Sequence, residues 1–139
     1  MTITYLLLNP KSLLPDISVL SPFRSVVIID EVVPSDWQSL VSAWLVKSGC
    51  MYMIAWGKDS STWDDSVDFA NLKEFEFADI PGDKFVMTMW RNEDELLREV
   101  FWFSKNVAFH PVVELLNTLI LHVSSMNREI ELLSEYNSV

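Results

Sequence analysis

Apolar positions recur along this chain in two rhythms that take turns. Continuous apolar runs at Thr2–Leu8, Ser25–Ile29, Cys50–Trp56, Phe85–Trp90 and Leu119–Val123 are rich in β-branched and aromatic residues. Such runs are expected of strands covered on both faces of a sheet. Between them, apolar residues fall three and four apart, as on helices with one buried stripe.

The first of these helices is expected to open at Ser35, where Ser35 and Gln38 match the reciprocal S-x-x-Q box. Its stripe is Trp37, Leu40, Val41, Trp44 and Leu45, and Gly49 offers the left-handed stop. A second helix, capped by Ser61 or Thr62, is expected to run to about Asn71. A third follows Asn92, with Glu95 at its third position and Leu96, Leu97, Val100, Phe101, Phe103, Ser104 and Val107 around it. His110-Pro111 ends it, the imidazole being favourable at a helix carboxyl end. A last helix is expected over Met126–Tyr136, with Ile130 and Leu133 inward.

Three stretches read less regularly. Lys11 to Pro22 is a short helix or an irregular connection, Glu74-Phe75-Glu76-Phe77 alternates like an edge strand, and Val112–Leu116 suits a short helix. The resulting order is β, β-α-β-α-β-α-β, α. Strands alternating with helices imply right-handed crossovers and a mostly parallel sheet. The expected fold is a single α/β domain: a three-layer sandwich of four or five strands, Rossmann-like without a dinucleotide fingerprint.

Charge changes the picture next. Half of the 139 residues are apolar, yet 20 acids face 10 bases. The densest run, Asp59 to Asp83, holds eight carboxylates (Asp59, Asp64, Asp65, Asp68, Glu74, Glu76, Asp79, Asp83) against Lys73 alone. A strongly negative face repels nucleic acid and anionic membrane and attracts a basic protein. Cys50 is the only cysteine, so no intramolecular disulfide forms and a reducing compartment fits. The start MTITYLLLNP has neither a basic n-region nor a cleavage site, and no apolar run approaches the roughly 20 residues of a membrane span. A cytoplasmic location is the expectation.

The segment SGCMYMIAWG (Ser48–Gly57), with WDDSVD (Trp63–Asp68) and VMTMW (Val86–Trp90), resembles the core of a family of small bacterial single-domain proteins with no assigned activity. The resemblance covers about Pro22 to Tyr136. It implies one compact domain and transfers no catalytic residue.

In an open parallel sheet, ligands bind beyond the carboxyl ends of the strands. The expected exits carry Asp30 and Glu31; Lys58 and Asp59; Arg91, Asn92 and Glu93; and Ser124, Ser125 and Asn127. Asp30, Asp59 and Glu93 are the candidate ligands for a divalent cation, whose preferred donors are carboxylate oxygens. Lys58 and Arg91 are alternatives for an anion, and His122 is a candidate proton shuttle. Helix caps and loop charges account for the same residues without any site. Three glycines build no phosphate loop, and no H-E-x-x-H, C-x-x-C or G-x-S-x-G occurs. Cys50 reads as structural.

Two functions are therefore weighed. The first is a non-enzymatic interaction module of bacterial cytoplasm, of inhibitor, immunity or adaptor type. It would use Trp56, Trp63, Asp64, Asp65, Asp68, Trp90 and Trp102 against a basic protein partner, with a homodimer as the other occupant. It needs no cofactor. The second is a small metal-assisted hydrolase or nucleotide-processing enzyme, with Asp30, Asp59 and Glu93 on the cation and Arg91 and His122 as catalytic groups.

Overall fold

Each of the five apolar runs becomes a strand: β1 (Thr2–Leu8), β2 (Phe23–Ile29), β3 (Cys50–Gly57), β4 (Met87–Arg91) and β5 (Asn117–Val123). The computed structural model describes residues 2–139. All neighbours are parallel, in the order β1-β5-β2-β3-β4. Four helices, α1 (Ser35–Ser48), α2 (Ser60–Glu74), α3 (Leu97–Asn106) and α4 (Glu129–Asn137), cover both faces. This is the expected Rossmann-like three-layer sandwich, with five strands.

Alternation along the strands builds two cores. Val27, Ile29, Leu119, Leu121 and Val123 point to one face, where Trp37, Val41 and Leu45 of α1 and Trp63 and Val67 of α2 meet them. Val26, Ile28 and Ile120 point to the other, against Leu97, Val100 and Phe101 of α3 and Leu132 and Tyr136 of α4. Each fully enclosed side chain of this kind stabilises the fold by about 1.5–3 kcal/mol.

The connection from β1 to β2 is irregular apart from one 3-10 turn at Ser18–Leu20. It crosses the first face without a helix, and two indoles hold it there. Trp37 Nε1 donates to Ser12 O (3.3 Å) and Trp44 Nε1 to Pro15 O (2.7 Å), while Ile17 enters the core.

Several local expectations are overturned. Ser35 is the first helical residue and not the cap; Pro34 holds that place, and Gln38 reaches across to Thr62 Oγ1. Leu40 is exposed, outside the buried stripe of Trp37, Val41, Ser42, Leu45 and Ser48. α2 runs on through Glu74, so the alternating Glu74–Phe77 is no strand. Glu76 and Phe77 take left-handed conformations instead, and Phe77 N–H bonds back to Leu72 O as a helix stop. Asn92 caps only a turn, through Asp94 N–H, and α3 starts at Leu97, leaving Leu96 exposed. Residues 112–116 form no helix. In α4, Ile130 is 88 % exposed, and Leu132 and Tyr136 face inward. Gly49 does end α1 at φ 102°, as its sequence position implies.

Candidate functional site

The acidic run folds into one flank of the molecule. Trp63 and Val67 anchor α2 to the sheet. One residue further round, Asp64 and Asp68 therefore face the neighbouring edge strand, β4. Thr88 Oγ1 lies 2.8 Å from an oxygen of Asp68 and 3.2 Å from one of Asp64, and its single proton serves one carboxylate at a time. Burial first, and then the charge of Asp68, push the Asp64 carboxyl up to about 6. Asn71 secures the approach to β4, donating to Lys84 O (3.1 Å) and accepting from Val86 N–H (2.9 Å).

Apolar surface lies along the same flank. Phe69 and Phe77 meet edge to face at 5.5 Å, and Phe85 and Trp90 (43 % exposed) are open to solvent. Asp68, Leu72, Ile80, Phe85 and Met87 line a cleft of about 420 Å³. Asp64, Thr88, Trp90, Arg91 and Glu95 line an open groove of about 550 Å³. β4 is a sheet edge, so its outward backbone groups have no strand partner. Carboxylates, aromatic faces and a free edge thus coincide.

Not every expected contact residue belongs here. Trp63 is 1 % exposed, a core residue that no partner reaches. Trp56 is half-buried, and its Nε1 donates to Glu95 O (2.8 Å), which ties down the loop before α3. Asp65, by contrast, is exposed on α2 next to Asp64 and stays with the acidic flank. Trp102 is 54 % exposed on α3, while its neighbour Phe101 is buried.

The carboxyl rim is arranged otherwise than a cation site requires. His122 is wholly buried, with Nε2 2.6 Å from Asp30 Oδ2 and Nδ1 2.7 Å from the Tyr5 hydroxyl. The Tyr5 oxygen in turn accepts Arg128 N–H (3.2 Å). One assignment satisfies all of it: Tyr5 O–H donates to Nδ1, and Nε2–H donates to Asp30. Burial raises the Tyr5 hydroxyl above its ordinary value. The network ties β1, β5, β2 and α4 together where α1 and α4 leave adjacent strands for opposite faces, the switch point of the sheet.

Asp30 is thereby engaged, and Asp59 and Glu93 are exposed on other loops. No group of three or more His, Cys, Asp or Glu side chains placed to hold a metal occurs among the described residues. The proposed cation triad is not brought together. Arg91 is exposed, donates to Trp90 O and lies 3.6 Å from Glu95. Lys58 is exposed as well.

At the opposite end of the sheet, Cys50 is buried and its thiol is pushed up to about 12 by desolvation, so it is inert at neutral pH. His110 does not terminate a helix. It is buried, Nε2 contacts Phe85 O (2.7 Å), and Nδ1 accepts from Val112 and Val113 N–H. Arg24, which the sequence pattern leaves outside its strand, is the second residue of β2 and buried. An arginine heading an otherwise apolar strand was the available signal.

Among the described residues, no helix is long and apolar enough to cross a membrane. A family model described as "Domain of unknown function (DUF7684)" matches residues 3–139, and the chain belongs to that family. No curated protein and no solved structure matches.

Proposed function

We propose that this member of the DUF7684 family is an acidic, non-enzymatic interaction module that receives a basic protein surface along the flank formed by α2 and β4. The observation that carries this reading is the coincidence of Asp64, Asp65 and Asp68 with exposed Phe69, Phe85 and Trp90 beside a free strand edge. Opposite charge speeds encounter and fixes register, and exposed aromatics supply affinity once water is excluded. Cys50, buried and reduced, supports a place in the bacterial cytoplasm. The metal-assisted alternative draws no support from its own residues, since Asp30 is bonded to His122 and the three carboxylates do not form a group.

The test is co-purification from the native host over a salt series, from about 50 mM to about 500 mM, which shortens the screening length severalfold. A stoichiometric basic protein should be retained at low salt, released at high salt, and lost from both Asp65→Lys and Trp90→Ala variants. A chain that elutes alone at low salt, or a partner indifferent to both substitutions, sinks the reading. Retention of a second copy through exposed Trp102 would replace it with a homodimer.

A further inference from the structure

A buried arginine in a chain with ten excess negative charges ordinarily sits on a carboxylate, but Arg24 does not. It is 3 % exposed, and among the described residues no acid lies within ion-pair distance of it. Its Nε donates to Ala108 O (3.2 Å) and its Nη1 to Thr118 Oγ1 (3.1 Å). A guanidinium has five N–H donors. Two are used, and Nη2 has no protein partner among the described residues. Both acceptors are neutral, so they orient the group and leave its charge uncompensated. Desolvation accordingly lowers its basicity, although an arginine stays charged throughout the working pH range.

Arg24 lines a cleft of about 620 Å³ at the amino end of the sheet, within the range of roughly 300–1,000 Å³ usual for small-molecule sites. Lys105 adds a second cation to the wall, and Glu114 is the one acid there. Lys105 is steadied by Val139 O (2.9 Å) and by the Tyr136 ring, 4.9 Å away. The rest of the lining is chiefly apolar: Phe109, Val112, Leu115 and Leu116. Phe109, Val112 and Leu116 are exposed at its mouth. A polar anion such as free phosphate would leave these apolar walls wet, and a neutral apolar molecule would leave the buried charge unanswered.

We propose that this cleft binds a small organic carboxylate with an apolar body, its carboxylate on Arg24 and its hydrocarbon or aryl part against Phe109, Val112 and Leu115. The pairing is charge-assisted and planar, the geometry for which arginine is suited. The site lies away from the α2–β4 flank and rests on nothing in the interaction reading.

Octanoate is a suitable probe, with 1-octanol as the isostere lacking charge. Titration followed by amide NMR should give saturable shifts around Arg24, Ala108 and Leu115 at concentrations up to about 1 mM. Octanol should bind at least about tenfold more weakly, and Arg24→Gln should lower octanoate affinity by a similar factor. Because a core substitution can disturb folding, Val112→Asp supplies a second arm: it adds a negative charge at an exposed mouth position and should weaken octanoate by a several-fold larger factor than octanol, which loses only the apolar contact. Equal binding of octanol and octanoate, octanoate affinity unchanged in a folded Arg24→Gln or Val112→Asp protein, or no saturable shift in the cleft overturns the proposal.

Discussion

His122 Nε2 stands 2.6 Å from Asp30 Oδ2, joining β5 to the first residue past β2 at the carboxyl end of the sheet. The imidazole is fully enclosed and its other nitrogen is taken by Tyr5, so the pair is a structural tie between three adjacent strands. A hydrogen bond to a charged acceptor contributes about 1.5–3 kcal/mol, more than a neutral one. A double-mutant cycle on His122→Ala and Asp30→Ala, by chemical denaturation, should therefore return a coupling of about 1.5 kcal/mol or more. A coupling under about 0.5 kcal/mol would mean that the bond contributes nothing measurable.

Asp64 links stability to pH. Its folded-state value of about 6 lies above the ordinary 3.8, so the folded chain holds this proton more tightly than the unfolded chain does. The cost of ionising it is absent below 3.8, grows as pH rises through that window, and is complete above about 6. Asp64→Asn should stabilise the protein by about 1 kcal/mol near neutral pH, after allowance for solvent screening, and by almost nothing in acid. Thermal unfolding of both proteins across that range checks the sign; a variant less stable near neutrality contradicts it.

The indole of Trp44 is asked to hold an irregular crossover. Trp44→Phe keeps an aromatic ring, though a smaller one, and removes the Nε1–H donor and its 2.7 Å bond to Pro15 O. The expected loss is about 1 kcal/mol in global stability. Limited proteolysis should show faster cutting within residues 11–22, the rest of the chain being unchanged. Equal cutting rates would assign the tether to the Trp37–Ser12 bond and Ile17 burial instead.

Gly57 ends β3 at φ 115°, and a Cβ there would lie 2.4 Å from Ile29 O, a backbone atom of the neighbouring strand. That carbonyl already accepts Lys58 N–H at 3.0 Å. Gly57→Ala should cost at least about 2 kcal/mol, since neither the conformation nor the neighbour yields cheaply. Urea denaturation measures it, and a near-neutral variant would show that β2 and β3 can part there.

What the sequence shows and what it hides follow the range of the interaction involved. The strands are legible because a strand buried on both faces must be apolar throughout, as VVII and MIAW are. Helix ends are decided by competition among near-equal local partners, so Ser35 lost its cap to Pro34 and Asn92 closed a turn five residues before α3 begins. Which tryptophan faces solvent depends on tertiary placement: Trp63 lies under the sheet and Trp90 on an edge strand, although each is followed directly by a charged residue. The Tyr5–His122–Asp30 network joins residues 117 and 92 positions apart, beyond the reach of any local pattern. Arg24 is hidden in the sequence because a charge reads as the boundary of an apolar run, although here it lies inside the strand.

Strand order also sets a timetable. β1 has one neighbour in the sheet, β5, and the Thr2–Asn117 side-chain bond at their start spans 115 positions. As the chain leaves the ribosome, β2, β3 and β4 can assemble with α1 and α2 while β1 has nothing to pair with. The edge of β2 that receives β5 stays open until Asn117–Val123 has emerged, and the second apolar face, met first by α3, stays partly bare until α4 follows. The nascent chain thus carries exposed strand edges and unfilled apolar surface for most of its synthesis, the condition under which chaperone holding and misassembly compete. Closure of that gap by β5 is a single late event, and a chain stopped short of Asn117 keeps both edges unsealed.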